Sequence, residues 1–227
     1  MGAVLDLFRV LFEPTAVFEG IRERPKFIVP AIVVGVLFAI VGYLMVPYRI
    51  ASMAPQIAQM AAQNPNAAAQ MEKFQSIGVF AAPIFVILFL LIVAGLMWLF
   101  VMLFAGGDAK YKTLLSVATY TALPAFFLQL AGWLVLKMKG VESVTSPLDL
   151  QPPLGLNLLS PSATGFMAGV LAGINPFTIW GTILTAIGIQ VTHRTSKGSA
   201  YTVAIAVMVI GLLFGGVGAM FASRGAR

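Results

Sequence analysis

An all-α fold is predicted: a polytopic integral membrane bundle of five transmembrane helices, preceded by short interfacial helices at the N-terminus. Three observations predict it. Five long apolar stretches, residues 27–48, 77–105, 114–136, 166–192 and 200–222, contain no Asp, Glu, Lys, Arg or His. A helix rises about 1.5 Å per residue and the hydrocarbon core is about 30 Å thick, so about 20 apolar residues suffice to cross it. The composition agrees, with 59 % hydrophobic and 10 % charged residues, where a soluble domain carries about 25 % charge. Five spans also nearly consume the 227 residues, which leaves no room for a separate soluble domain. The expected organisation is residues 1–25 as the interfacial part and 26–223 as the membrane domain.

The N-terminal part is too short to span. Residues 4–12 are apolar except for Asp6 and Arg9, with Leu5, Phe8 and Phe12 at helical spacing and Val4, Leu7 and Leu11 likewise. Pro14 suits the first turn of a second helix, with Glu13 before it as a cap. There Val17, Phe18 and Ile21 point one way and Glu19, Arg22 and Glu23 the other. Two short helices lying at the membrane surface are expected, the alternative being a cytoplasmic cover packed onto the bundle. Pro25 and Lys26 turn the chain into the first span.

Residues 49–76 are rich in Ala, Gln and Met. Met53, Ile57 and Met60 form one helical face, Asn64-Pro65-Asn66 breaks the helix, and residues 67–74 resume it, so an extramembrane helical hairpin is expected. Three methionines without His or Cys are better read as an ordinary apolar face than as a copper(I) site. The third span carries Ser116, Thr119, Tyr120, Thr121 and Gln129. Residues 137–163 hold Pro147, Pro152, Pro153 and Pro161 and are expected to form an irregular extramembrane loop. Gly165, Gly169 and Gly173 then recur at intervals of four, a spacing that lets helix backbones approach closely. Asn175-Pro176 interrupts this run. The reading favoured is a half-helix up to Ile174 followed by a span over 176–192. The last span repeats the small-residue pattern at Gly211, Gly215 and Gly218.

The net charge of +6 is read as topogenic and lipid-facing, not as a nucleic-acid footprint. With a cytoplasmic N-terminus the inner segments hold Arg9, Arg22, Arg24, Lys26, Lys110, Lys112, Arg194 and Lys197. The outer ones hold Arg49, Lys73, Lys137, Lys139, Arg224 and Arg227. The bias places the N-terminus inside and, after five spans, the C-terminus outside. A bacterial inner membrane is the expected location.

Chemistry is sparse. No cysteine is present, and the single histidine, His193, sits in a basic turn beside Arg194. No nucleophile elbow and no His-Glu-x-x-His pattern occurs, so no catalytic residue, metal or cofactor is expected. The residues singled out are therefore Gly165, Gly169, Gly173, Gly211 and Gly215 for close helix contact. Tyr120, Pro124, Asn175 and Pro176 are singled out as a substrate or partner contact. The leading function is a non-enzymatic membrane-organising or adaptor protein. Its partners would be the lipid bilayer and an unidentified protein or a second copy, with no nucleic acid. The alternative is a small transporter or channel using the second group of residues, since broken helices expose backbone groups at transporter sites.

Several short motifs resemble the bacterial Yip-domain proteins, relatives of the eukaryotic Yip proteins that interact with Rab-type GTPases. They are Leu11-Phe12-Glu13-Pro14 with Phe18 and Pro25, then Gly106-Gly107 leading to Ala118, Tyr120, Leu123 and Pro124. Asn175-Pro176-Phe177 with Trp180 follows, then Gly188-Ile189 and Ser196-Lys197 with Ala200. The resemblance covers residues 11 to about 205 in order. It implies five spans, a cytoplasmic N-terminus, an outward C-terminus, and roles in membrane shaping and partner assembly. It supplies no catalytic residues. The long soluble arm of eukaryotic members is missing before Leu11, so a Rab-type partner is not expected.

Overall fold

The computed structural model describes residues 2–106 and 108–224. Gly107 of the third-span motif and Arg227 of the outer charges lie outside them. Every regular element among the described residues is helical. In chain order these are α1 (Gly2–Arg9), α2 (Pro14–Glu23), α3 (Ile28–Leu44), α4 (Val46–Ser52), α5 (Ala54–Gln63), α6 (Pro65–Phe104), α7 (Tyr111–Thr121) and α8 (Leu123–Lys139). Three short 3₁₀ turns follow, Val141–Ser143, Pro147–Leu150 and Leu156–Leu159. The chain ends with α9 (Gly165–Gly173), α10 (Pro176–His193) and α11 (Lys197–Arg224).

Three helices are long and apolar enough to cross a membrane: Ile77–Phe104, Tyr111–Lys139 and Lys197–Ser223. Two bent pairs, Ile28–Leu44 with Val46–Ser52 and Gly165–Gly173 with Pro176–His193, raise the number to five if each pair is one span. The outward residues suit lipid. Phe80, Phe85, Phe89 and Ile92 of α6 and Phe214 and Phe221 of α11 are all exposed, and in water such surface would drive association.

Proline accounts for the breaks. A proline removes its own N–H and crowds the carbonyl four residues earlier. Pro47 does this to Tyr43, and the first span, expected to be continuous over 27–48, is interrupted at Met45. Pro124 does it to Tyr120, and the third span is interrupted at Ala122, whose N–H donates to the Thr119 carbonyl three residues back instead of four. Asn64 and Pro65 end α5 and start α6, with the Asn66 N–H donating to Asn64 Oδ1 at 3.0 Å. The resumed helix does not stop before the second span. α6 runs for 40 residues, about 60 Å at 1.5 Å per residue and roughly twice a bilayer core. Gly106, with φ +60°, follows its end in the left-handed conformation that glycine adopts without strain. Two expectations change locally. Glu13 does not cap α2, because its carboxylate pairs with Arg9 four residues earlier. The loop over 137–163 is not wholly irregular, since it contains the three 3₁₀ turns.

The residues divide into two compact units. The first comprises Met1–Leu37, Pro83–Phe126 and Phe177–Gly211. Its centre is α7, where every residue from Thr113 to Thr121 is buried, as befits a helix surrounded on all sides. α2 packs against α7 through Val17, Phe18 and Ile21, all buried. Gly35 meets Pro83, whose Cα would lie 3.2 Å from a Cβ at that glycine. The second unit comprises Phe38–Ala82, Phe127–Pro176 and Leu212–Arg227. In it α4 lies against the first two 3₁₀ turns, and α9 lies against the third.

Several threonines of the long apolar helices are satisfied within their own helices. Thr119 donates to Leu115 O at 2.8 Å, Thr185 to Gly181 O at 2.8 Å and Thr182 to Thr178 O at 2.8 Å. Such back-bonding lets a hydroxyl sit at membrane depth without a partner from elsewhere.

Candidate contact sites

In the first unit the N-terminal helices are pinned from below. The Tyr120 hydroxyl donates to the Ala3 carbonyl at 3.3 Å. Phe18 is fully buried over Gly188, where a Cβ would lie 3.0 Å from the Phe18 ring and 2.7 Å from Val117 Cγ1. Burying a phenylalanine contributes about 1.5–3 kcal/mol. On α1 the buried residue Leu7 and the following Val10 face inward. Leu5, Phe8 and Phe12 lie on the opposite side of the helical wheel and are 68 %, 40 % and 80 % exposed. α1 thus has an apolar face turned in and a second apolar face turned out.

Pro124 is buried, and its Cβ would lie 3.9 Å from a Cβ at Gly181. Elsewhere in the first unit, two turns are tied together. The Lys110 N–H donates to His193 Nε2 at 3.3 Å, which makes Nε2 the acceptor and leaves the ring proton on Nδ1. Nδ1 lies 2.8 Å from Thr192 Oγ1, and that hydroxyl donates to Gly188 O at 2.6 Å. Arg194 follows with φ +51°, a strained conformation for a residue with a side chain. Trp98 Nε1 donates to Ala109 O at 3.1 Å and the Tyr111 hydroxyl to Leu91 O at 2.9 Å. The sequence singled out none of these ties. His193 offered a signal, but nothing marked a backbone N–H as its partner.

In the second unit α9 crosses the end of α11 at its glycines. A Cβ at Gly169 would run into the Gly215 carbonyl and lie 2.7 Å from Ala219 Cβ. At Gly173 it would lie 2.5 Å from Leu212 Cδ2, and at Gly165 3.7 Å from Ser223 Oγ. A Cβ at Gly215 would come no nearer than 3.9 Å to the Gly169 carbonyl, and one at Gly211, which belongs to the first unit, meets nothing within 4 Å. Gly216, not singled out by spacing, faces the Phe166 ring, 2.6 Å from where its Cβ would be. α9 ends at Ile174, and Asn175, which is buried, donates through Nδ2 to Ala172 O at 3.0 Å and Gly173 O at 3.2 Å. The side chain thereby satisfies carbonyls left open at a helix end. Pro176 is exposed at the first position of α10. Tyr120 and Pro124 belong to one unit and Asn175 and Pro176 to the other.

The loop after α8 is also built. Asp149 Oδ2 accepts the N–H groups of Thr145 at 2.9 Å and Ser146 at 2.7 Å, and both hydroxyls at 3.1 Å. Burial works to raise the Asp149 pKa, but these bonds outweigh it, and the carboxyl sits below its ordinary value. Pro152 fits over Gly132, with its Cγ 2.8 Å from the position of a Cβ there.

Among the described residues no group of three His, Cys, Asp or Glu is placed to share a metal ion. The family model described as the Yip1 domain matches residues 8–219. The chain is 30 % identical over 219 residues to the membrane protein YknW of Bacillus subtilis (strain 168), covering 93 % of this chain and 90 % of that protein. No solved structure matches.

Proposed function

The chain belongs to the Yip1 domain family, and on that premise we propose that it is a five-span, non-enzymatic adaptor of the bacterial inner membrane. It acts by contact, with its N-terminus in the cytoplasm and its C-terminus outside. The observation that carries this reading is α1 with the turn after it, whose inner side, Leu7 and Val10, is packed while Leu5, Phe8 and Phe12 are presented outward. A packed helix with a second exposed apolar face is a surface awaiting a partner. The spans support the same reading. Their apolar stretches, residues 27–48, 77–105, 114–136, 166–192 and 200–222, hold no Asp, Glu, Lys, Arg or His, so they lack the usual carriers for catalysis or ion coupling. Close contacts at Gly169, Gly173 and Gly216 fix α9 on α11 by shape, as small residues do in membranes. Close contact is proposed for Gly165 and Gly215 as well, but not for Gly211, where a Cβ would meet nothing within 4 Å. The transport alternative places a solute near Asn175, but that amide is engaged by the Ala172 and Gly173 carbonyls.

Native mass spectrometry of the protein extracted from its own membrane tests the adaptor reading. A discrete protein-bound species is expected, lost in the Phe8→Ser, Phe12→Ser double variant while thermal unfolding is unchanged. A bare monomer throughout, together with solute flux in liposomes that Asn175→Ala abolishes, would favour transport instead.

A further inference from the structure

Residues 150–192 contain no charged side chain, although α10 alone, at 18 residues, accounts for about 27 Å of membrane. The uncharged run therefore extends well beyond what one span requires. Its first part is the third 3₁₀ turn, Leu156–Leu159, where Leu158 and Leu159 are 59 % and 82 % exposed and Leu156 is exposed as well. Phe166 and Met167 of α9, the helix on which this turn rests, are also exposed. A solvated turn would bury its leucines, whereas this one exposes them and folds the Asn157 side chain back onto its own backbone; Ser162 and Thr164, between the turn and α9, are exposed.

The Leu156 N–H donates to Ile174 O at 3.0 Å, the Leu158 N–H to Gly155 O at 3.1 Å and the Ser160 N–H to Asn157 O at 3.3 Å. The Asn157 side chain turns back onto the Gly155 N–H at 3.2 Å and the Pro152 carbonyl at 3.4 Å. Gly155 sits so close to the end of α9 that a Cβ would lie 2.7 Å from Ala172 O and 2.9 Å from Ile174 O. Backbone outside helices tolerates membrane depth only where its polar groups find protein partners, and this turn has recruited them. The last charge before it, Asp149, is held by four hydrogen bonds at the entrance to the uncharged run.

We propose that residues 150–173 form a re-entrant element whose Leu156, Leu158 and Leu159, with Phe166 and Met167, insert at the boundary between lipid headgroups and acyl chains. The partner of this surface is the bilayer itself. The proposal rests on the chain being a membrane protein and not on the adaptor reading.

The chain has no cysteine, so single-cysteine variants report one position each. Leu158→Cys, Leu159→Cys and, as a solvated reference, Glu142→Cys are purified and reconstituted in phosphatidylcholine vesicles, where no other protein is present. Each unit by which apolar surroundings raise a thiol pKa removes about tenfold of its reactive thiolate. A charged maleimide is therefore expected to label positions 158 and 159 at least about tenfold more slowly than 142, with the difference abolished by denaturing detergent. A nitroxide at 159 is expected to collide with oxygen more than with a water-soluble nickel chelate. Labelling at the rate of position 142 would overturn the proposal. So would slow labelling accompanied by spin–spin broadening and no oxygen excess, because a second copy would then be the cover.

Discussion

At Gly169 the difference between glycine and every other residue is decided by one carbonyl. Any Cβ there runs into the backbone of Gly215, which belongs to a helix and cannot yield as a side-chain tip can. Gly211 has open space around the same position. Overpacking a well-packed contact costs about 1–3 kcal/mol, while substitutions away from such contacts stay within about 0.5 kcal/mol. Gly169→Val is therefore expected to lower the unfolding free energy in micelles by the first amount and Gly211→Val by no more than the second. Equal effects would remove the distinction. The four-residue spacing of Gly165, Gly169 and Gly173 is legible in the chain, because it is a property of one helix. Which of them another backbone approaches is not, because that depends on a partner some 45 residues away. Gly188 under Phe18 is hidden for the same reason.

For the elements, proline and asparagine carry most of what can be read in advance. Asn64-Pro65 and Asn175-Pro176 mark helix starts because a missing N–H is harmless there and the preceding Asn can bond backbone groups. Pro47 and Pro124 lie inside apolar runs, where hydropathy alone suggests unbroken rods, and the helices break just before them. The segment after α8 is the least legible. Its prolines announce irregular backbone but not the three 3₁₀ turns, and the one sign that Asp149 will organise Ser146 is the capping-box spacing of Ser146-Pro147-Leu148-Asp149. That carboxyl sits below its ordinary value of 3.8. A depressed carboxyl stabilises the fold fully above its unfolded pKa and loses that contribution as pH falls through the folded one. Hydrogen exchange over residues 141–150 is thus expected to keep its protection at neutral pH and lose it below pH 3.8. Asp149→Asn is expected to remove that pH dependence. Protection that is flat in acid for the unaltered protein would contradict the role given to Asp149.

For the whole molecule, membership of the Yip1 domain family and the uncharged spans point the same way. In the adaptor function proposed above, contact is made by shape, at the glycines and prolines, and by surface, at the exposed leucines and phenylalanines. The N-terminal helices show this most plainly. Their amphipathic pattern favours helices lying at the membrane surface, with a cover packed on the bundle as the alternative. In the structure Leu7, Val10 and Phe18 are packed inward while Leu5, Phe8 and Phe12 are exposed. The measurement that bears most directly on a contact function is photo-crosslinking in intact cells from benzoylphenylalanine placed at Phe12. A discrete protein adduct is expected, either a second copy or one recurrent partner, and it should disappear when Phe8→Ser alters the same face. Adducts to lipid alone would contradict the adaptor function.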